Sequence, residues 1–190
     1  MAMWKRIAIF FWEFTMEKRL NLYMVDMKYV RNLHRADNRV SSVSPQLGKE
    51  NRVYVGVLTI LNKHKYIIPL SHPQEKHKNM KPAADFDKIY DKKGRLIAVL
   101  NFNQMIPVED AQLIPVDLKI YQNDTEKMKA YKVLCINEIE YCRRKDISKR
   151  IFDKANTLYD LCTSKEPNFK GKSRCVDFKK LEQVCAKYNT

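Results

Sequence analysis

The spacing of apolar residues changes at Thr125, and this change limits the fold more than any other feature of the chain. Before it, apolar residues come in short runs rich in Val, Ile, Leu and Tyr, broken by Gly, Pro, Asn and Lys, as strands require. After it, Met128, Tyr131, Leu134, Cys135, Ile139 and Cys142 recur at three- and four-residue steps, and Ile147, Ile151, Phe152, Ala155, Leu158, Tyr159 and Cys162 continue the pattern. That spacing lines one face of a helix, with Thr125 as a cap and a break near 144–146. Strands followed by helices predict an α+β fold: a twisted, mostly antiparallel β-sheet core flanked by helices.

Within the strand region, Leu22–Val25 reads as a short strand and Asp26–Leu33 as a short helix capped by Asp26. Residues 36–51 read as a polar loop. Arg52–Ile60 and Lys65–Leu70 form a hairpin across a turn at Asn62-Lys63-His64. Pro69 is expected to end regular pairing, which makes Ser71–Lys78 a loop at a strand end. Phe86–Tyr90 and Arg95–Leu100 form a second hairpin around Lys92-Lys93-Gly94. Met105–Val108 and Leu113–Val116 are short strands, each interrupted by Pro and so near edges. A turn near Cys175-Val176 and a helix over Asp177–Ala186 complete the chain.

The 190 residues suffice for one domain with a core, and they carry a net charge of +14. Residues 1–60 hold 10 basic and 5 acidic side chains, 61–100 hold 9 and 4, 101–164 hold 10 and 10, and 165–190 hold 7 and 3. The helical region is balanced, so the cationic excess belongs to the strands and the tail, which points to a polyanionic partner and above all nucleic acid. A merely soluble basic protein is the plain alternative. Five cysteines, an odd count without C-x-x-C, argue against a disulfide framework or zinc site and for reduced thiols in a cytoplasmic protein. Six apolar residues, Ile7–Trp12, follow Lys5-Arg6 and stop at Glu13, too few for a spanning helix or a signal core. Residues 1–20 therefore read as an extension and 21–190 as a single domain; a surface membrane anchor is the rival reading of the extension, and no membrane partner is expected.

The residues after Pro69 hold the chemistry. RNA cleavage that uses the substrate's own 2′-OH needs a base, an acid and donors for the charged phosphate, with no protein nucleophile and no metal or other cofactor. Ser71 can donate to a phosphate oxygen, His72 can shuttle a proton, and Lys76, His77 and Lys78 add positive charge. Arg52, heading the partner strand, can clamp a phosphate with two parallel hydrogen bonds. The same polar residues also suit a solvated surface loop, and a non-catalytic basic RNA-binding protein is the alternative function. The chain has no G-x-S-x-G, no H-E-x-x-H and no Gly-rich phosphate loop. His34 and His64 read as exposed, and Arg143-Arg144-Lys145 with Lys149-Arg150 as a solvated helix face or an RNA contact.

Four stretches resemble the ToxN/AbiQ family of type III toxin–antitoxin endoribonuclease toxins: Tyr23–Leu33, Arg52–Leu58 followed by Lys65–Pro73, Leu96–Val108 and the helical region 130–161. The resemblance spans roughly 22–188 and implies a sheet-centred, MazF/Kid-like fold and endoribonuclease activity used in phage defence. It implies a repeat-derived antitoxin RNA, a pseudoknot that the toxin processes and joins in a closed ring-shaped assembly, and adenine-rich cleavage sites in cellular RNA. Tyr29 matches a family tyrosine near the site, Arg52 a strand-leading lysine and Ser71 the first hydroxyl of the loop. His72 replaces the second hydroxyl and Gln74 replaces the family's loop lysine. We expect His72 to take over proton transfer, Lys76 or Lys78 to supply the missing charge and Gln74 to hydrogen-bond phosphate or base. Tyr29, by stacking on bases, and Lys28, His77, Lys78 and Lys81 are the expected RNA contacts.

Overall fold

The computed structural model describes residues 20–41, 53–60, 64–164 and 169–188. The extension 1–19, most of the loop expected over 36–51, Arg52 and the turn residues Asn62 and Lys63 lie outside them. Strand β1 (Leu22–Val25) buries Leu22 and Val25. Helix α1 (Met27–Ala36) starts where the sequence predicts, because the Asp26 carboxylate accepts the Tyr29 N–H at 2.7 Å. Strands β2 (Val53–Ile60) and β3 (His64–Ser71) pair antiparallel, with Tyr54 opposite Pro69 and Ile60 opposite His64.

The pairing slips by one residue at Gly56, so that Val55 faces Ile68 and Val57 faces Ile67. Gly56 has φ +42°, and a Cβ there would lie 2.8 Å from Leu20 Cδ2. Its N–H donates to the Asn21 carbonyl. Both the backbone conformation and the close approach demand glycine at this bulge.

Strands β4 (Phe86–Tyr90) and β5 (Leu96–Asn101) form the second hairpin, and β6 (Ile106–Val108) and β7 (Leu113–Pro115) are short, as predicted. The sheet order is β4-β5-β3-β2-β1-β7, with β6 paired to β3 and every pairing antiparallel. One edge of β3 serves two partners: Lys65–Ile67 pair with β6, and Leu70–Ser71 pair with β5. Pairing therefore does not end at Pro69. Proline removes a single N–H, and the residues beyond it find a strand distant in sequence. Nor is Ser71–Lys78 simply a loop, because Glu75–Asn79 forms a short helix, α2.

Helices α3 (Glu126–Cys142), α4 (Lys145–Thr163) and α5 (Phe178–Tyr188) pack on the sheet, with Thr125 Oγ1 capping α3 through the Met128 N–H at 3.2 Å. Tyr66 of β3 is fully buried against Tyr159 of α4 and Phe178 of α5, with ring centroids 5.8 and 5.9 Å away. Much of the 143–150 basic run is structural. Arg143 Nε donates to the Leu20 carbonyl at 2.8 Å, and Arg150 Nε and Lys154 Nζ hold the buried Asp87 carboxylate at 2.9 and 3.2 Å. All five cysteines are buried and none is in a disulfide. No helix among the described residues is long and apolar enough to cross a membrane.

Candidate active site

The end of β3 sets up the site. Ser71 lies opposite Val99 of β5, and Val99 lies opposite Lys88 of β4. Cross-strand neighbours project to the same face, so Ser71, Val99 and Lys88 form one row, and Asn101 with Phe86 forms the next. Asp87, one residue off this row, points the other way into α4. The row of Ser71 is therefore on the face opposite α4, where Val99 and Lys88 are buried and Ser71 itself is half-buried. Asn101 Nδ2 donates to Ser71 Oγ at 2.7 Å.

The segment after β3 folds back over β4. His77 sets its ring 6.3 Å from that of Phe86, and Lys88 Nζ donates to the Lys78 carbonyl at 2.9 Å. That carbonyl belongs to the C-terminal end of α2, where carbonyl oxygens lack helix partners and a cation is favoured. Lys88 is only 6% exposed as a result. Among the described residues its ammonium has no carboxylate within ion-pair distance, so its charge is left to the face it underlies.

The predicted site residues fare differently. Ser71, His72, Gln74 and Lys76 share this one segment, and His72, Gln74 and Lys76 are exposed. Lys81 is exposed at its far end. Lys28 is exposed on the first turn of α1. It stands at the same end of the sheet as Ser71, because Met24 lies opposite Val53 and Tyr54 opposite Pro69. Arg52 is outside the described residues.

Two expectations are corrected, those for Tyr29 and His77. Tyr29 is 0% exposed, its hydroxyl donates to the Pro107 carbonyl at 2.7 Å and its ring lies 5.0 Å from Tyr188, so it is a core residue and cannot stack on a base. His77 is not a cationic RNA contact: its ring Nδ1 accepts the Gln74 N–H at 2.9 Å, while its backbone N–H donates to the Gln74 carbonyl. Burial, then the Lys76 and Lys88 charges, hold its imidazole below the ordinary histidine value and keep it a neutral helix-start partner. Lys78 is exposed but pairs with Glu75 at 2.6 Å, which locally offsets its charge. His34 and His64 are likewise engaged rather than free, the first 2.7 Å from the Val40 carbonyl and the second 3.6 Å from Glu182.

Two residues near Ser71 escaped the sequence reading, Asn101 and Lys88. Their roles depend on the pairing of β3 with β5, which no local pattern announces. A surface cleft of about 280 Å³ lies elsewhere, along α4. Its cations are committed, Arg150 and Lys154 to Asp87 and Lys149 to Asp153, which makes it a poor place for the chemistry of an RNA phosphate.

The chain as a whole has counterparts among known proteins. The family model for toxin ToxN of the type III toxin-antitoxin system matches residues 21–186. The chain belongs to the ToxN toxin family. Endoribonuclease ToxN of Bacillus thuringiensis subsp. kurstaki is 29% identical over 170 residues, covering 87% of this chain and 82% of that protein. Endoribonuclease AbiQ of Lactococcus lactis subsp. lactis is 27% identical over 196 residues, covering 96% and 97%. Among solved structures, a type III toxin described as selectively inhibited by a non-coding RNA pseudoknot superposes with a TM-score of 0.75 at 26% identity, over 90% of this chain and 98% of that one. AbiQ, a lactococcal anti-phage endoribonuclease, superposes at 0.74 with 25% identity, over 90% and 98%. The four ToxN-like stretches of the sequence thus all lie within one continuous family match.

Proposed function

We propose that this ToxN-family chain is an endoribonuclease toxin that cuts RNA through the substrate's own 2′-OH, without a metal, and that an RNA antitoxin restrains it. The observation that carries the reading is the half-buried Ser71 hydroxyl at the end of β3, followed directly by an exposed imidazole and then by exposed lysines. The 2′ oxygen bonds to phosphorus as the P–O5′ bond breaks. A base takes the 2′ proton, an acid returns one to O5′, and His72 fills one of these two roles. The products are a 2′,3′-cyclic phosphate and a 5′-OH.

Ser71 donates to a non-bridging phosphate oxygen, where charge accumulates in the transition state. Gln74 hydrogen-bonds phosphate or base, and Lys76 supplies charge. Arg52, the residue before Val53 in the sequence, acts as a phosphate clamp. Lys28, Lys78 and Lys81 track the RNA backbone, so affinity falls steeply with salt. Base selectivity comes from side chains other than the buried Tyr29.

The pseudoknot recognised by a structural relative supports an antitoxin RNA that lies in the same groove in an inert geometry, so that inhibition is occupancy. Processing of a repeat transcript by the toxin and closure of the products into a ring with it follow from the same groove holding substrate and inhibitor. Residues 21–190 act as one domain, and the toxin works in the cytoplasm.

Single-turnover cleavage of a transcript in EDTA, with end-group analysis, tests this. The wild type yields cyclic-phosphate ends, and His72→Ala lowers the rate by about 10²–10⁴-fold. An unchanged rate for that variant across pH removes His72 from the mechanism, and an EDTA-sensitive reaction removes the metal-free route.

A further inference from the structure

We infer that Asn101 is a positioning residue for the cleavage reaction, one that turns the Ser71 proton outward toward the RNA phosphate; the inference rests on the proposed role of Ser71. A serine hydroxyl has one proton and two lone pairs. Asn101 Nδ2 donates to Ser71 Oγ at 2.7 Å and so occupies a lone pair. The remaining proton cannot go back to that amide nitrogen and is left for another acceptor, which the RNA phosphate supplies. A hydroxyl that accepts one hydrogen bond is also polarised into a better donor for the next.

The geometry is built for this contact. Ser71 faces Val99 directly, and Asn101 is two residues further along β5, on the diagonal. Diagonal neighbours are roughly 7–8 Å apart and their Cβ atoms somewhat closer, a gap that an amide-length side chain can close and a serine or alanine cannot. The backbone that carries the amide is tied down. Asn101 pairs with Phe86, and the next residue, Phe102, is fully buried at the start of a 3-10 turn (Phe102–Gln104). That turn is held by Asn103 N–H to the Asp85 carbonyl at 3.2 Å and by Val176 N–H to the Asn103 carbonyl at 2.9 Å. A fixed strand end thus holds the donor that orients a hydroxyl at the edge of a mobile substrate.

The test is the single-turnover cleavage rate of a mixed-sequence transcript at saturating and subsaturating protein, from pH 5 to pH 8, for Ser71→Ala, Asn101→Ala and Asn101→Asp, with near-UV circular dichroism to check the fold. Asn101→Ala lowers the saturating rate about 10-fold at every pH and leaves the half-saturating protein concentration unchanged, less than the loss of a direct donor to the oxyanion. The N101D variant reads out the direction of the hydrogen bond. An ionised carboxylate can only accept and captures the Ser71 proton, whereas a protonated one donates as the amide does. Its rate relative to wild type is therefore lowest at pH 8 and recovers several-fold toward pH 5. A merely structural asparagine does not produce that recovery. If Ser71→Ala is slow but N101D keeps a constant ratio to wild type, or Asn101→Ala cleaves at full speed, the role of Asn101 is lost while the reading of Ser71 stands. If Ser71→Ala itself cleaves at the wild-type rate, the reading of the site falls and the role of Asn101 falls with it.

Discussion

The two ends of β3 carry similar groups and put them to opposite uses. At the first end, His64 and the Tyr66 hydroxyl meet Glu182 of α5, which also accepts the Tyr159 hydroxyl at 2.7 Å and Lys179 Nζ at 3.0 Å. Burial raises the Glu182 pKa, but the hydrogen bonds from Tyr159, Lys179 and Tyr66 outweigh it and hold the carboxyl below its ordinary range. At the other end, the Ser71 hydroxyl is half-buried with the Asn101 amide as its partner, and the His72 imidazole is exposed. A helix closes over the first pair and satisfies it. Helix α2 covers Phe86 and Lys88 beside the second pair but leaves His72 exposed, and the hydrogen-bonding capacity left there is what a phosphate can use. Hydroxyl and imidazole chemistry is therefore assigned by what covers the strand end, not by residue type.

Exchanging the damage between the two ends gives the largest effect. His72→Ala abolishes most cleavage, about 10²-fold or more, with little change in the unfolding midpoint, whereas His64→Ala leaves the cleavage rate within about threefold of wild type. Paired single-turnover and urea-unfolding measurements check this, and equal loss of activity from both variants breaks the comparison.

A smaller effect falls on stability at the closed end. Glu182→Gln keeps the shape but opposes an amide to Lys179 and costs about 2–3 kcal/mol of unfolding free energy at pH 7. The folded Glu182 pKa lies below its ordinary 4.5, so the ionised group stabilises fully above that value and loses its contribution as pH falls through the lower folded value. The gap between wild type and variant should narrow on acidification across that window. A gap that widens instead means the carboxylate is not the group being held.

Glu138 of α3 sharpens the contrast between satisfied and unsatisfied groups. It is 6% exposed, and burial alone pushes its carboxyl from 4.5 up to about 7. Between those two values the unfolded chain is ionised while the folded one holds the proton, so this group lowers stability as pH rises from 4.5 to about 7. Glu138→Gln should stabilise the protein above pH 7 by about 1–2 kcal/mol and have little effect near pH 4, as chemical unfolding at the two pH values would show. The smallest effect belongs to the lysine beneath the site. Lys88→Met removes the bond to the Lys78 carbonyl and costs about 1 kcal/mol, seen first as faster amide exchange over 74–80.

Much of the fold was legible because it is local. The Asp26 and Thr125 caps, the Gly94 hairpin and the split between α3 and α4 follow from hydroxyl or carboxylate caps, turn chemistry and three-to-four spacing. The errors share a cause. Pro69 looked like a strand end because its missing N–H is a local fact, while the β5 partner of Ser71 is a distant one. Tyr29 looked available because a tyrosine near a family site can serve a base or a core equally well, and only the packing of Pro107 and Tyr188 around it decides. His77 looked like a cation until α2 formed and its Nδ1 became a cap.

By themselves, the residues determined the α+β class, the surplus of cations in the strand half and the tail, the Ser71-His72 pair and the ToxN likeness, since periodicity, charge and short motifs are properties of neighbours along the chain. The tertiary structure alone decided which face Ser71 occupies, that Asn101 reaches it, that Lys88 lies beneath α2 and that Tyr29 is core. Each of these depends on which strands pair and which faces are covered, and burial and hydrogen-bond partners across a sheet do not exist until the chain has closed on itself.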